Sequence, residues 1–206
     1  MTDPAFPVAL EDDPTPLVLS VGRTLRASAR VPELLRLMET LQETVVVKSK
    51  DDPQAATIRF GNGGVAVDHG AVGDPDVVLT VNLADRFAVE SVGGAESGSP
   101  LVSAVRRILE PPLPPWQVAA LAFWEFTSGD TGMPQQLVIG CREEELVLGA
   151  GTPRYFIGGD AEKLARVFTG TDLFLDEVYV GALAVRGTMT QLSVMAGASM
   201  KVRFHA

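Results

Sequence analysis

The spacing of apolar positions changes several times along this chain, and each change predicts a change of element. Between residues 31 and 42, Leu34, Leu35, Met38 and Leu41 recur at helical spacing behind Pro32, which suits an early helical position. A first regular segment is expected just before it, over residues 17–21. β-Branched Val45-Val46-Val47 predicts a strand. Thr57-Ile58-Arg59-Phe60 and Val65-Ala66-Val67 flank Gly61-Asn62-Gly63-Gly64, a hairpin signal because Asn and Gly tolerate positive φ. Residues 76–82, D-V-V-L-T-V-N, read as a buried strand, residues 83–92 as a helix closed by Gly93-Gly94, and residues 101–110 as a short helix. Pro111-Pro112-Leu113-Pro114-Pro115 must stop that helix, since each proline restricts the residue before it to extended conformations.

The second half repeats these signals. Residues 116–126 form a strongly apolar helix, residues 136–141 and 145–148 a hairpin, and residues 153–157 a strand. Residues 160–168 form a helix with Asp160 as N-cap and Gly170 just past its end. Residues 178–185 read as a strand and 188–196 as a helix, while 201–204 fit a short strand or a loop. Hairpin, strand and helix in 57–92 thus recur in 137–169, aligned by placing Pro75 on Pro153. Two organisations follow. Either two halves, 17–110 and 111–206, are fused behind a flexible arm of residues 1–16, or one domain of residues 17–206 carries a helical insertion at about 94–134. The arm is inferred from Pro4, Pro7, Pro14 and Pro16 among Glu11, Asp12 and Asp13.

Composition narrows the function classes. Apolar residues at 46% against charged residues at 21% give a chain that folds around a core. The net charge of −9 and the lack of Lys/Arg runs argue against phosphate backbones, hence against nucleic acid. Cys141 is the lone cysteine, so no internal disulfide forms. No apolar run approaches the roughly 20 residues of a membrane span, and residues 1–4 lack signal-peptide character. A cytoplasmic location without integral membrane association is expected, and homo-oligomerisation stays open.

Residues 153–187 resemble the sterol carrier protein 2 family. A strand from Pro153 leads to the helix D-A-E-K-L-A-R-V-F-T-G (residues 160–170), and E-V-Y-V-G-A-L-A-V-R-G (residues 177–187) is similar to the family's G-x-L-x-V-x-G strand, followed by a terminal helix. The hairpin and P-D-V-V-L-T-V (residues 75–81) resemble the earlier part of the same unit. The resemblance implies an α+β fold, a mainly antiparallel twisted sheet with helices on one face, enclosing an apolar tunnel. It also implies binding or transfer of lipids and other hydrophobic molecules, generally without catalysis. The family fold further serves as an accessory domain in some acetyltransferases and thiol-dependent enzymes. Residues 94–134 have no counterpart in a single family domain.

The residues themselves offer little chemistry. His69 and His205 lie far apart and supply no paired metal ligands. Adjacent Asp68 and His69 point to opposite faces of a strand, so they form no dyad. Cys141 beside Arg142 reads as a small buried hydrophobe, Glu143-Glu144-Glu145 as a solvated tip, and the glycine runs at 61–64 and 93–98 as turns without a phosphate-loop lysine. No catalytic residue, metal or cofactor is assigned. Aromatic residues carry the binding hypothesis. On the helix of residues 116–126, Trp124 stands about 100° from Phe123, so the helix is apolar around much of its circumference and must be buried or line a cavity. The expected ligand wall comprises Trp116, Phe123, Trp124, Phe126, Phe168, Phe174 and Tyr179. Binding of a lipid-like or sterol-like molecule is the leading expectation, an interaction or accessory protein with a filled pocket the second, and an enzyme acting on an apolar substrate the third.

Overall fold

A computed structural model describes residues 6–204. His205 and residues 1–5 of the expected arm lie outside the described residues. The protein is α+β, with seven α-helices and two mixed sheets among the described residues. It divides into two compact units, the first ending at Pro111 and the second beginning at Pro112.

The first unit runs β1 (Val8–Leu10), α1 (Pro16–Ala29), α2 (Pro32–Thr40), β2 (Thr44–Ser49), β3 (Ala55–Gly61), β4 (Gly64–His69), β5 (Val77–Asn82), a 3-10 turn (Leu83–Asp85), β6 (Ala88–Gly93) and α3 (Pro100–Leu109). Its strands lie in the order β1-β4-β3-β2-β5-β6, with β1–β4 and β2–β5 parallel and the other pairs antiparallel. Register places Val45 and Val47 beside Ile58 and Ala56 on one side, and beside Val77 and Leu79 on the other. These alternate residues share one face and form a buried core with Leu17, Val21 and Leu25 of α1, Met38 of α2 and Val105 and Ile108 of α3. Helix α1 begins where Thr15 Oγ1 accepts a hydrogen bond from the Val18 amide and Pro16 occupies the first turn. It therefore continues well past the expected 17–21 segment.

The second unit runs α4 (Trp116–Thr127), β7 (Gln136–Cys141), β8 (Glu144–Gly149), β9 (Arg154–Gly159), α5 (Ala161–Phe168), α6 (Phe174–Tyr179), β10 (Leu183–Arg186) and α7 (Met189–Phe204). Its sheet has the order β10-β9-β7-β8, with β7–β9 parallel. Leu137, Ile139, Tyr155 and Ile157 face a core filled by Phe123, Leu164, Phe168 and Met195 from the helices. Residues 94–134, read as a candidate insertion, are divided between the units, α3 in the first and α4 in the second.

Several expectations are corrected. Residues 83–92 are not a helix. Arg86 (φ 48°) and Phe87 (φ 63°) break any helical path, and Ala88–Gly93 pairs with β5, so strand pairing overrides local propensity. Residues 178–185 are not one strand, because α6 extends to Tyr179 and Gly181 at φ 77° turns the chain before β10. Residues 201–204 are the last turn of α7, held by Lys201 Nζ on Asp130 Oδ1 (2.7 Å) and by Arg203 on the Thr171 carbonyl (2.8 Å). The proposed superposition of 57–92 on 137–169 also fails as drawn. It sets β3–β4 on β7–β8, but the strand parallel to β5 is β2, as β7 is to β9. The common topology lies one strand earlier: β3-β2-β5-β6 repeats the order and directions of β8-β7-β9-β10, and β4 and β1 are additions at one edge.

The arm is regular from Val8. β1 lies parallel to β4, with Val8 opposite Val65 and Leu10 opposite Val67, because its alternate apolar residues complete the sheet face while its prolines stay outside the strand. Backbone bonds from Val65 N–H to the Pro7 carbonyl (3.0 Å) and from Glu11 N–H to the Val67 carbonyl (3.2 Å) bracket it. Beyond β1, Glu11 Oε2 meets His69 Nδ1 at 2.5 Å, while Asp68 pairs with Arg59. The hydrogen bond that Glu11 accepts from His69, then the charge of Glu11, raise the His69 pKa, and the same hydrogen bond lowers that of Glu11. A raised histidine pKa gives stabilisation that is complete below its usual value near 6.5 and disappears as pH rises through the folded value. The glutamate term disappears instead as pH falls through its lowered pKa. Hydrogen-exchange protection of the Glu11 and Val65 amides, corrected for intrinsic exchange, is therefore expected to decline from pH 6 to pH 8.5. Unchanged protection, or the same decline in His69→Ala, would assign the docking of β1 to its backbone alone.

Candidate functional site

The second unit carries a depression where the starts of α4 and α5 meet and another between α6 and α7. The first is an open groove of about 900 Å3 between the start of α4, the β7–β8 turn and the start of α5. The proline run fixes its position: Pro115 ends the extended segment and is the N-cap of α4, and it places Leu113 and Pro114 along one wall. Trp116, Cys141 and Ala165, all buried, close the floor. The hairpin turn needs a left-handed residue, which Arg142 supplies at φ 54°. Glu143 and Glu144 follow it at the rim, with Glu162 across the groove. Gln117 Nε2 donates to Glu144 Oε2 at 2.8 Å and holds one of these carboxylates in place. Three carboxylates against Arg142 give the groove an apolar floor and an acidic rim.

The second depression is a cavity of about 130 Å3 behind α6, lined by Leu173, Phe174, Leu175, Asp176, Ala196, Ser199 and Met200. A charge network fixes α6 over it. Arg166 Nε and NH2 clasp the two oxygens of Asp172 at 2.6 and 2.8 Å, a bidentate fork at the turn before α6. Lys163 Nζ reaches Glu177 within α6 at 3.0 Å. Burial alone would raise the Asp172 pKa, but the hydrogen bonds and charge of Arg166, with Lys163, outweigh it and leave it below the usual value. Lys163 is raised, chiefly by its hydrogen bond to Glu177.

The seven expected wall residues do not gather around one chamber. Phe123 and Phe168 pack ring to ring inside the core, centroids 5.2 Å apart and planes at 56°. Trp116 and Phe174 are buried in the same core, and each also touches one of the two depressions. Trp124 is half-buried, its indole over Gly149, where a Cβ would come within 2.6 Å of Cζ2. Phe126 is 42% exposed under the Lys201 ammonium, 4.6 Å from the ring centroid, and Tyr179 is 93% exposed at the end of α6. Phe126 and Tyr179 are thus surface residues. The α4 helix escapes complete burial because only Trp116, Ala119, Ala120, Phe123 and Thr127 face inward.

Sequence reading missed Leu175, Ser199 and Met200. Ser199 and Met200 fall beyond the expected end of the last helix, and Leu175 within a stretch assigned no element. Tyr155 and Ser199 are buried with side-chain oxygens that find no hydrogen-bond partner among the described residues, and burial pushes the Tyr155 pKa up to about 12. Among the described residues no group of three or more His, Cys, Asp and Glu is placed to hold a metal ion, and no helix is long and apolar enough to cross a membrane. Compared with protein-family models, curated proteins and solved structures, the chain shows no match.

Proposed function

We propose that this chain is a non-catalytic interaction protein whose second unit receives a basic, apolar segment of a partner protein in the groove between α4, the β7–β8 turn and α5. One observation carries the reading: a floor of Trp116, Cys141 and Ala165 and an apolar wall of Leu113 and Pro114 lie inside a rim of Glu143, Glu144 and Glu162. The apolar floor supplies contact area, and the carboxylates select sign and speed encounter. The segment's apolar side chains would sit against Trp116 and its Lys or Arg side chains against the rim. The net charge of −9 adds a longer-range attraction of the same sign.

Fluorescence anisotropy with two labelled ten-residue peptides tests this, one of Leu and Lys, the other of Leu and Glu. The Leu/Lys peptide is expected to bind saturably and to weaken between 50 mM and 500 mM salt, because exposed charges are screened. Replacing Glu143 and Glu144 together by Lys should reduce its affinity about tenfold or more, by turning attraction into repulsion. Equal binding of both peptides, or binding unaffected by the double substitution, counts against the groove.

A second reading is the carriage of a hydrophobic small molecule. It draws support from the apolar cavity behind α6 and from the resemblance of residues 153–187 to sterol carrier protein 2. At about 130 Å3 that cavity holds one small ring; a lipid or sterol would require the residues of α6 and α7 that line it to move apart.

A further inference from the structure

We infer that the partner segment binds as a strand added to the outer edge of β8, antiparallel to it, with alternate apolar residues toward α4 and Lys or Arg at its C-terminal end. This rests on the groove reading and gives that partner a conformation and a residue pattern. The two units supply the first observation. The order β3-β2-β5-β6 recurs as β8-β7-β9-β10, but β3 carries β4 on its outer side, antiparallel, whereas β8 ends its sheet. In the first unit α2, the helix before β2, packs over β3 and β4 alike. Helix α4 holds the same place before β7, and among the described residues no strand lies beyond β8.

The edge offers backbone groups and apolar surface together. The Gln136 N–H turns to the Pro153 carbonyl (3.4 Å), on the β9 side, so Leu137, Ile139 and Cys141 direct their backbone groups to β8, where they meet Leu148, Leu146 and Glu144. Glu145 and Val147 therefore point N–H and C=O away from β7, the arrangement that strand addition uses. Val147 is 47% exposed. On the helix side, Gln117 bonds Glu144 and Trp124 lies over Gly149, so one stripe of α4 runs beside β8. Leu121 falls on that stripe between them and is 47% exposed; Val118, one turn earlier, is 56% exposed. An added strand covers this apolar surface with the residues opposite Leu146 and Leu148. Charge fixes the rest of the pattern. Glu143, Glu144 and Glu145 crowd the start of β8, and Glu144 also lines the groove, so an antiparallel segment brings a basic C-terminal end to the rim and continues into the groove. A second copy would instead bring its own glutamates and a net charge of −9 to this edge.

NMR titration of the full chain with a peptide of alternating valine and threonine, ending in three lysines, tests this. The peptide is expected to bind saturably and to slow amide exchange at Glu145 and Val147 about tenfold or more, the effect of one backbone hydrogen bond at each. The Leu146 amide, already bonded to β7, should change less. With valines opposite Leu146 and Leu148, the threonine N–H groups face β8 and the valine N–H groups face solvent. N-methylation of the threonines should therefore weaken binding about tenfold or more, and N-methylation of the valines less than about threefold. Val147→Pro removes an outward N–H without touching a β7 bond, and should weaken binding about fivefold more than Val147→Ala, which keeps it. Equal affinity of the two methylated peptides, with Glu145 and Val147 unprotected, overturns the inference and leaves the groove reading standing. So does failure of this peptide to bind while the Leu/Lys peptide binds; failure of both removes both. Protection of the same two amides without peptide, rising with protein concentration, assigns the edge to a second copy and overturns the inference as well.

Discussion

Phe123→Ala is expected to destabilise the second unit by about 3–5 kcal/mol, the usual cost of emptying a fully buried phenylalanine site. Phe123 is 2% exposed and its ring lies 5.2 Å from that of Phe168, so truncation removes its burial and leaves Phe168 facing a void. The tilted geometry adds an aromatic coupling of about 0.5–1.5 kcal/mol, measurable by a double-mutant cycle with Phe168→Ala. Urea denaturation should show the loss as a fall in midpoint at unchanged slope. Against a typical total stability of about 5–15 kcal/mol, a loss of this size leaves a large unfolded fraction at physiological temperature. A loss below about 1 kcal/mol, together with altered uptake of an apolar probe, would instead make Phe123 the ligand wall that its sequence context suggests.

Gly149→Ala is expected to be comparably damaging for a different reason. Gly149 ends β8 at φ 74°, a conformation unfavourable for any L side chain, and its Cβ would stand 2.3 Å from the Gln135 carbonyl oxygen. Gln135 directly precedes β7 and its amide is bonded to the Pro153 carbonyl (3.0 Å), so its backbone oxygen cannot swing away as a side chain can. The strained conformation and the overlap each cost about 1–3 kcal/mol. Gly181→Ala is the control, because its φ of 77° imposes similar strain while nothing lies within 4 Å of the added carbon. Its cost should stay near 1–2 kcal/mol. Thermal unfolding of the two variants side by side separates strain from overlap, and equal losses would mean that the contacts with both Gln135 and Trp124 relax freely.

Elements whose determinants are local were legible in the sequence. The Asn62-Gly63 turn gives the β3–β4 hairpin, the Asp160 side chain accepts from the Lys163 amide at 2.9 Å to cap α5, and the proline run ends α3. The two long departures had non-local causes. Residues 88–93 become a strand because β5 offers a partner edge, and the end of α7 persists through Asp130 and the 170–171 turn, far away in sequence. The candidate site was less legible. Aromatic content marked α4 and Phe168 as apolar, which they are, but core and cavity wall share the same composition. Only the packing of Phe123 on Phe168 tells them apart. The acidic rim was visible as Glu143-Glu144-Glu145; that Glu143 and Glu144 border a groove floored by Trp116 required the fold.

The parallel pairing of β1 with β4 also bears on how copies of this chain meet one another. Without β1, β4 would present six consecutive residues, Gly64–His69, as an open strand able to accept a strand from a neighbouring molecule. With β1 in place the outermost strand is three residues long and is preceded by Pro7, which has no N–H to offer. Such an edge is too short to seed continued strand addition. Proteolytic trimming as far as Leu10 would uncover β4 at this edge and let it recruit the β1 segment of an intact copy, exchanging a strand between molecules and linking them in series.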